Sequence, residues 1–139
     1  MSNAQRTAHY DEMNRVISAL HTVKFAQQGL ADFAYHCMSW HMPPTTGRGI
    51  GGVDVAALGI PTESQYIRRY CERTGISTPE ALAPDWNFYQ AYNLFRMAAI
   101  LQGIAKRVEA GTASSEQAVA SARGARPMAQ MAWQFAQRA

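Results

Sequence analysis

The side chains able to do chemistry are few and widely spaced. Four histidines occur, His9, His21, His36 and His41. His36 and His41 straddle an expected helix end, a poor spacing for a shared metal. No HExxH and no Cys/His quartet accompanies them, so a zinc site is not expected. Cys37 and Cys71 lack CxxC spacing and fall on apolar helical patterns, which suits buried free thiols in a reducing compartment better than a disulfide. There is no GxSxG and no cysteine beside a catalytic-type histidine. Asp32, Asp54 and Asp85 are too scattered for a DxD pair. The stretch His41–Gly52, HMPPTTGRGIGG, sets Arg48 among glycines whose N–H groups could cradle an anion. No strand precedes it and no GKS or GKT triplet closes it, so it is not a P-loop, and a plain connecting loop is the alternative. Arg96 lies on an apolar helical surface with Tyr92, Phe95 and Ile100. A guanidinium buried there needs a carboxylate, for which Asp32 is the first choice; otherwise it anchors a ligand. No catalytic, cofactor-binding or metal-binding set is read. Asp32, His36, His41, Arg48, Trp86 and Arg96 are the candidates for acceptor-side or structural polar roles.

The element that must position these groups is Asp85–Gly111, read as one long central helix. Pro84 is expected to stop what precedes it, Asp85 to cap its N–H groups, and Gly111 to supply the exit. Trp86, Tyr89, Asn93, Arg96, Ile100 and Ile104 recur at helical steps, and so do Phe88, Tyr92, Phe95, Ala99 and Val108. The apolar surface is therefore expected almost all round, as on a helix that others pack against. Upstream, Met13, Val16, Ile17, Leu20, Val23 and Lys24 share a face, predicting a helix from Tyr10 to Gln27 that Gly29 ends. Leu30–Trp40 follows as a helix with Leu30, Phe33, Ala34, Cys37 and Met38 on its apolar stripe. Val53–Leu58 reads as a helical turn. Thr62 then opens a helix through a capping box with Gln65, and Gly75 closes it. Thr78-Pro79-Glu80 starts one more short turn before Pro84. Ser114 or Ser115 caps a helix to Ala122, and Pro127–Arg138 forms the last, with Met128, Met131, Ala132 and Phe135 on one side and Trp133 near them. Nothing alternates long enough to demand a strand.

A chain of 139 residues fits one domain with a real core, and 47% hydrophobic content excludes wholesale disorder. Only 17% of residues are charged, which hints at a face meant for a partner. The net charge of +3 is mild and the arginines do not cluster with aromatics, so neither nucleic acid nor membrane is an expected partner. No signal peptide and no membrane-length apolar run is present, which points to the cytoplasm. Ser2, Asn3 and Ala4 look like a cloning scar and are left out of the fold reasoning.

From Leu30 onward the chain resembles a known family. The residues that carry the resemblance are LADFAYHCMSWHM (30–42), GRGIGGVDVAALGIPTESQYIRRYCERTG (47–75), PDWNFYQAYNLFRMAAILQGIAKRVEAGTASS (84–115) and ARPMAQMAW (125–133). They are similar to the C-terminal half of aminoglycoside phosphotransferase-like kinases, in the branch related to the kinase-like domains fused to some acyl-CoA dehydrogenases. The resemblance implies an all-α chain: the helical C-terminal subdomain of a protein-kinase-like phosphotransferase fold. It also implies ATP and Mg as the family's cofactors, and phosphoryl transfer to a hydroxyl.

The departures are equally plain. No HGD catalytic loop and no glycine-rich nucleotide loop occurs in the sequence, so the nucleotide-binding lobe is expected to be absent, with no cofactor held by this chain. Where the family's metal-binding DWE segment is expected, His21, Thr22 and Val23 stand instead, so no metal carboxylate survives. The family pattern would put residues 15–20 in a strand; the helical reading is kept because an unpaired strand is marginal. The expected organisation is residues 1–28 as tag-like residues and a divergent N-terminal helix, and 29–139 as the helical subdomain. The chain is expected to be a truncated or degenerate family member, inactive alone. A partner supplying the N-terminal lobe in trans, or a non-enzymatic self-association module, are the alternatives. A homodimer is expected, held by the face a catalytic core would cover.

Overall fold

The computed structural model describes residues 2–21 and 26–139, and every described element is helical. The helices are α1 (Asn3–His21), α2 (Ala26–Cys37), α3 (Glu63–Thr74), α4 (Pro79–Glu109), α5 (Glu116–Ala122) and α6 (Ala125–Ala136), with 3-10 turns at Met38–Trp40 and Pro44–Thr46. No described helix is long and apolar enough to cross a membrane. Two compact units divide the chain, Met1–Pro84 and Asp85–Ala139.

The first unit is built on aromatic stacking. Phe33 of α2 stacks on Tyr70 of α3, ring centroids 3.8 Å apart, and lies nearly parallel to Tyr66 at 5.7 Å. All three rings are fully buried, which makes them the core of this unit. α3 forms where its sequence says it should. The Thr62 hydroxyl accepts from the Gln65 N–H at 3.3 Å while the Gln65 side chain accepts from the Thr62 N–H at 3.0 Å, a complete capping box. Gly75 closes the helix with φ +63°, a conformation few L-residues adopt.

α1 is fastened to α3 by polar groups. The Asp11 carboxylate accepts from Arg73 at 2.7 Å and Arg69 at 3.3 Å. Arg73 also donates to Asn14 Oδ1 at 2.9 Å, and Asn14 Nδ2 donates to the Tyr66 carbonyl at 3.1 Å. Asn14 is fully buried, so both ends of its amide need these partners. At the start of α1, Asn3 Nδ2 donates to the Ala57 carbonyl at 2.8 Å, Arg6 Nε to that of Leu58 at 2.6 Å, and the Thr7 hydroxyl to that of Gly59. Asn3 and Ala4 thus belong to α1. Of the apolar face expected of this helix, Met13 is half-buried and Val16 is exposed, while the polar Asn14 and Ser18 are buried. Val23 and Lys24 lie outside the described residues, as do the side chains of Ile17 and Leu20.

Several expected boundaries move. Gly29 does not end a helix; it is buried inside α2, which starts at Ala26 and gives way to a 3-10 turn after Cys37. A helical glycine costs about 1 kcal/mol against alanine, which burial in a packed unit can offset. The helical turn expected over 53–58 falls at 55–59, where Leu58 N–H donates to the Val55 carbonyl at 3.2 Å and Gly59 N–H to that of Ala56 at 3.0 Å, with Asp54 accepting from the Ala57 N–H at 3.1 Å. Pro84 does not stop a helix either: α4 begins at Pro79 and runs through it. Thr78 caps this earlier start, its hydroxyl accepting from the Ala81 N–H at 3.2 Å. Pro84 removes one N–H, and the carbonyl left unserved is that of exposed Glu80, which water can reach. Similarly α6 begins at Ala125 because Pro127 falls in its first turn, where no N–H is needed.

In the second unit, Ser115 caps α5 by accepting from the Ala118 N–H at 3.1 Å, and Asn87 Nδ2 donates to the Arg138 carbonyl at 2.8 Å. Gly111 (φ +70°) turns the chain out of α4. α4 is not apolar-covered all round. It buries Ala91, Leu94 and Ala98 with the polar Gln90 and Asn93, while Phe88, Tyr92, Phe95 and Ile100 are exposed. α6 buries Met128, Ala132 and Phe135 as expected, but Trp133 is exposed, one helical step off that stripe.

Candidate functional site

A cavity of about 390 Å³ opens between α1 and α2 in the first unit. α1 contributes His9, Tyr10 and Met13; α2 contributes Tyr35 and His36; Met38, Ser39 and Met42 continue the wall, and Arg48 stands on the loop beyond. The pocket forms because the loop is pinned back. Ile50 N–H donates to the Ser39 carbonyl and Gly51 N–H to the Met42 carbonyl, each at 2.8 Å. A Cβ on Gly49 would sit 2.0 Å from the Met42 carbonyl oxygen, so only glycine permits this approach. The glycines of 47–52 therefore bring backbone to backbone. The N–H groups of Ile50 and Gly51 are spent on carbonyls rather than turned to an anion, and Arg48 is carried to the cavity by the fold of the loop.

His36 is the chemically unusual member. Its ring packs against Tyr66 (5.3 Å between centroids), Trp40 (5.8 Å) and Tyr10 (6.5 Å). Its Nε2 is buried with no hydrogen-bond partner. Burial lowers its pKa from the ordinary 6.5, so the ring is neutral near pH 7. Burial likewise raises the pKa of Tyr10 above 10. A neutral imidazole carries one donor and one acceptor nitrogen, and here Nε2 is the one left without a partner.

The remaining sequence candidates do not line this cavity. His41 turns the other way, its Nε2 2.9 Å from Glu63 Oε2 at the start of α3. Asp32 is exposed on α2, and Trp86 and Arg96 belong to α4 in the second unit, Trp86 half-buried and Arg96 exposed. Of the sequence candidates, His36 and Arg48 both line this cavity. Tyr10, Met13, Tyr35 and Ser39 were missed as wall residues; Tyr35 was legible as the α2 aromatic lying off the buried stripe. A second cavity of about 410 Å³, lined by Thr7, Gly59, Gln65, Arg68 and Glu72 among others, lies where α1 meets α3.

A nucleotide with magnesium would need converging carboxylates. Among the described residues no three His, Cys, Asp or Glu side chains come together to hold a metal. Asp11 is engaged by Arg69 and Arg73, Glu12 by Arg15, and Glu63 by His41. These residues do not fit a metal–nucleotide centre, and no chemical step through one is assigned to them.

No protein-family model matches the chain. Among curated proteins, mouse acyl-CoA dehydrogenase family member 10 is 44% identical over 108 residues, 76% of this chain and 10% of the relative. Human acyl-CoA dehydrogenase family member 11 is 32% identical over 109 residues, 78% of this chain and 14% of the relative. The chain thus spans between 10% and 14% of the length of these two relatives. Among solved structures, a candidate aminoglycoside phosphotransferase from Ralstonia eutropha matches with a TM-score of 0.87 at 35% identity, over 99% of this chain and 67% of that chain. That likeness takes in α1 as well as the stretch from Leu30. The chain belongs to the aminoglycoside phosphotransferase-like kinase family, and its described residues form the helical C-terminal subdomain of that fold.

Proposed function

We propose that these residues are the acceptor-side helical part of an ATP-dependent phosphotransferase that acts on a hydroxyl of a small molecule or acyl-CoA-type acceptor, and that they transfer no phosphate unaided. The observation that carries the reading is the likeness to the Ralstonia eutropha structure, at 35% identity and a TM-score of 0.87. An acyl-CoA-type acceptor is favoured by the two acyl-CoA dehydrogenase relatives and by the net charge of +3, which suits an anion better than a polycationic aminoglycoside. Lack of activity alone is supported by the described residues, among which no carboxylates converge to hold the metal that stabilises a phosphoryl-transfer transition state. A nucleotide lobe acting in trans would complete the site. The free, buried thiols of Cys37 and Cys71 suit a reducing, cytoplasmic setting. The test is ATP turnover by pure protein with magnesium and an acyl-CoA thioester. The expected result is no phosphate release above background. Turnover abolished by a substitution within this chain overturns the reading.

A second reading, a homodimer without enzymatic activity, is favoured by the exposed Phe88, Tyr92, Phe95 and Ile100 on α4. Phe88, Tyr92 and Phe95 recur at helical steps on one side of α4, and an exposed apolar stripe of this kind is most simply covered by a two-fold copy of itself. Light scattering at tens of micromolar should report a dimer that Phe88→Ser with Phe95→Ser converts to monomer. A monomeric parent protein removes this reading.

A further inference from the structure

The outward side of α4 changes character along its length. Phe88, Tyr92 and Phe95 stand on it, 59%, 51% and 43% exposed. Further along the same side come Ala99 and Gly103, also exposed, and a Cβ on Gly103 would meet nothing within 4 Å. A glycine inside a helix costs about 1 kcal/mol against alanine, and no contact within the chain calls for this one. The two ends of the stripe carry opposite charges. Exposed Asp85 precedes Phe88 by about one turn, and exposed Lys106 follows Gly103 by about one turn. About 30 Å of helix separates them, so they cannot pair within one copy. Neither makes an ion pair among the described residues. With rings and an acid at one end, small residues and a base at the other, the face is complementary to itself in reverse. Pairing Asp85 with Lys106, Phe88 with Gly103 and Tyr92 with Ala99 gives all three pairs one midpoint, between Phe95 and Arg96. A shared midpoint is what two antiparallel helices related by a two-fold axis require, because every contact must then occur twice. A lipid surface would account neither for the acid on the stripe nor for the matched order of large and small residues.

We infer that α4 pairs with α4 of a second copy, antiparallel about a two-fold axis near Phe95, so that Phe88 lies over the partner's Gly103, Tyr92 over the partner's Ala99 and Asp85 against the partner's Lys106. The inference rests on the dimer reading above and adds to it a direction and a register. Large side chains set into gaps left by small ones let the two helices approach closely, and the charges at the ends select this register over one slipped by a turn.

The experiment measures the dimer dissociation constant of the full chain by sedimentation velocity over a dilution series at low ionic strength. Asp85→Lys and Lys106→Asp are compared with the parent, alone, combined in one chain and mixed as two single variants. In the inferred pair each single change turns two attractions into two repulsions, so each alone should weaken the dimer about tenfold. The combined variant, and the one-to-one mixture of the two single variants, should both return to near the parent value. Parallel helices would instead set position 85 against 85, and single changes would then leave the dimer unchanged. Gly103→Gln fills the gap that receives Phe88 with a polar, helix-favouring side chain, and it should weaken the dimer about tenfold. All these positions are exposed, so the variants should fold as the parent does, which their circular dichroism checks. A monomeric parent removes the dimer reading and this inference with it. A dimer that Phe88→Ser with Phe95→Ser breaks, but that the single charge changes or Gly103→Gln leave intact, keeps the dimer and overturns the register. Weakening that neither the combined variant nor the mixture restores overturns it as well.

Discussion

In the unit ending at Pro84, Phe33, Tyr66 and Tyr70 are fully buried and stacked, and the arginines of α3 that face α1 reach Asp11 and Asn14. In the unit from Asp85 onward, Phe88, Tyr92, Phe95 and Trp133 are all exposed, and the buried face of α4 is made of Ala91, Leu94, Ala98, Gln90 and Asn93. The two units contain the same kinds of residue and use them differently. Rings in the first stabilise the chain's own fold. The exposed rings of the second, unlike its buried Phe135, contribute little to it and instead form a surface suited to contact with something else.

Truncating one ring from each unit gives the largest contrast. Phe33→Ala should cost about 3–5 kcal/mol, because a stacked, fully buried ring leaves a cavity its neighbours cannot fill. Phe95→Ala, on the exposed face, should change stability by no more than about 0.5 kcal/mol. Urea denaturation of both variants measures the difference. Equal losses would mean that α4's outer face is covered within the chain, and the comparison would collapse.

Glycines sharpen it next. Gly49→Ala drives a methyl onto the Met42 carbonyl, a backbone atom that cannot step aside, so a loss of about 1–3 kcal/mol is expected. Gly103→Ala, in the middle of α4, meets nothing within 4 Å and should stabilise by up to about 1 kcal/mol. A Gly49→Ala protein with unchanged midpoint would show that the loop is not held against 41–43, and the position of Arg48 would then lose its explanation.

Much of the fold was legible because the signals were local. The Thr62/Gln65 capping box, the Gly75 exit, the Ser115 cap and the stripe on α6 each depend on residues within a turn or two, and each stands where it was read. Two kinds of inference failed. Pro84 and Gly29 were read as breakers, but both can sit in a helix when the lost hydrogen bond reaches water or the site is packed. Periodicity on α4 revealed two apolar faces and could not say which is covered, since that depends on which small residues let another element approach. The candidate site was legible in its two polar members, His36 and Arg48. Their meeting was not, because it depends on the Ile50 and Gly51 N–H groups folding the loop back and on α1 supplying the opposite wall.

A cap comparison is expected to give a smaller effect. Thr62→Ala removes one side of the capping box of a helix whose face is the unit's core, and should cost about 1 kcal/mol of global stability. Ser115→Ala acts on a helix of seven residues with no buried side chain. That loss should appear as faster amide exchange confined to 116–122, with the global urea midpoint nearly unchanged. If Ser115→Ala lowers the midpoint as much as Thr62→Ala, α5 is integral to its unit and the two caps are equivalent.

The smallest effect expected is on pH dependence, and it belongs to the first unit because residues 85–139 contain no histidine. Burial holds the His36 pKa below its ordinary 6.5 in the folded chain, while in the unfolded chain the ring titrates near that ordinary value. Above it both states are neutral and His36 adds no pH dependence. As pH falls through it, the unfolded chain takes up a proton that the folded chain refuses, so stability declines until the folded ring also protonates. Urea midpoints at about pH 7.5 and about pH 5.5 should therefore fall toward the acid side, beyond what exposed carboxylates cause. His36→Gln keeps a hydrogen-bonding side chain but cannot titrate, and its midpoint should fall less over the same interval. The Phe95→Ala protein, altered only in the second unit, should keep the full acid-side decline of its parent. A His36→Gln protein with that same decline would place the titrating group elsewhere and leave the imidazole's burial without energetic consequence.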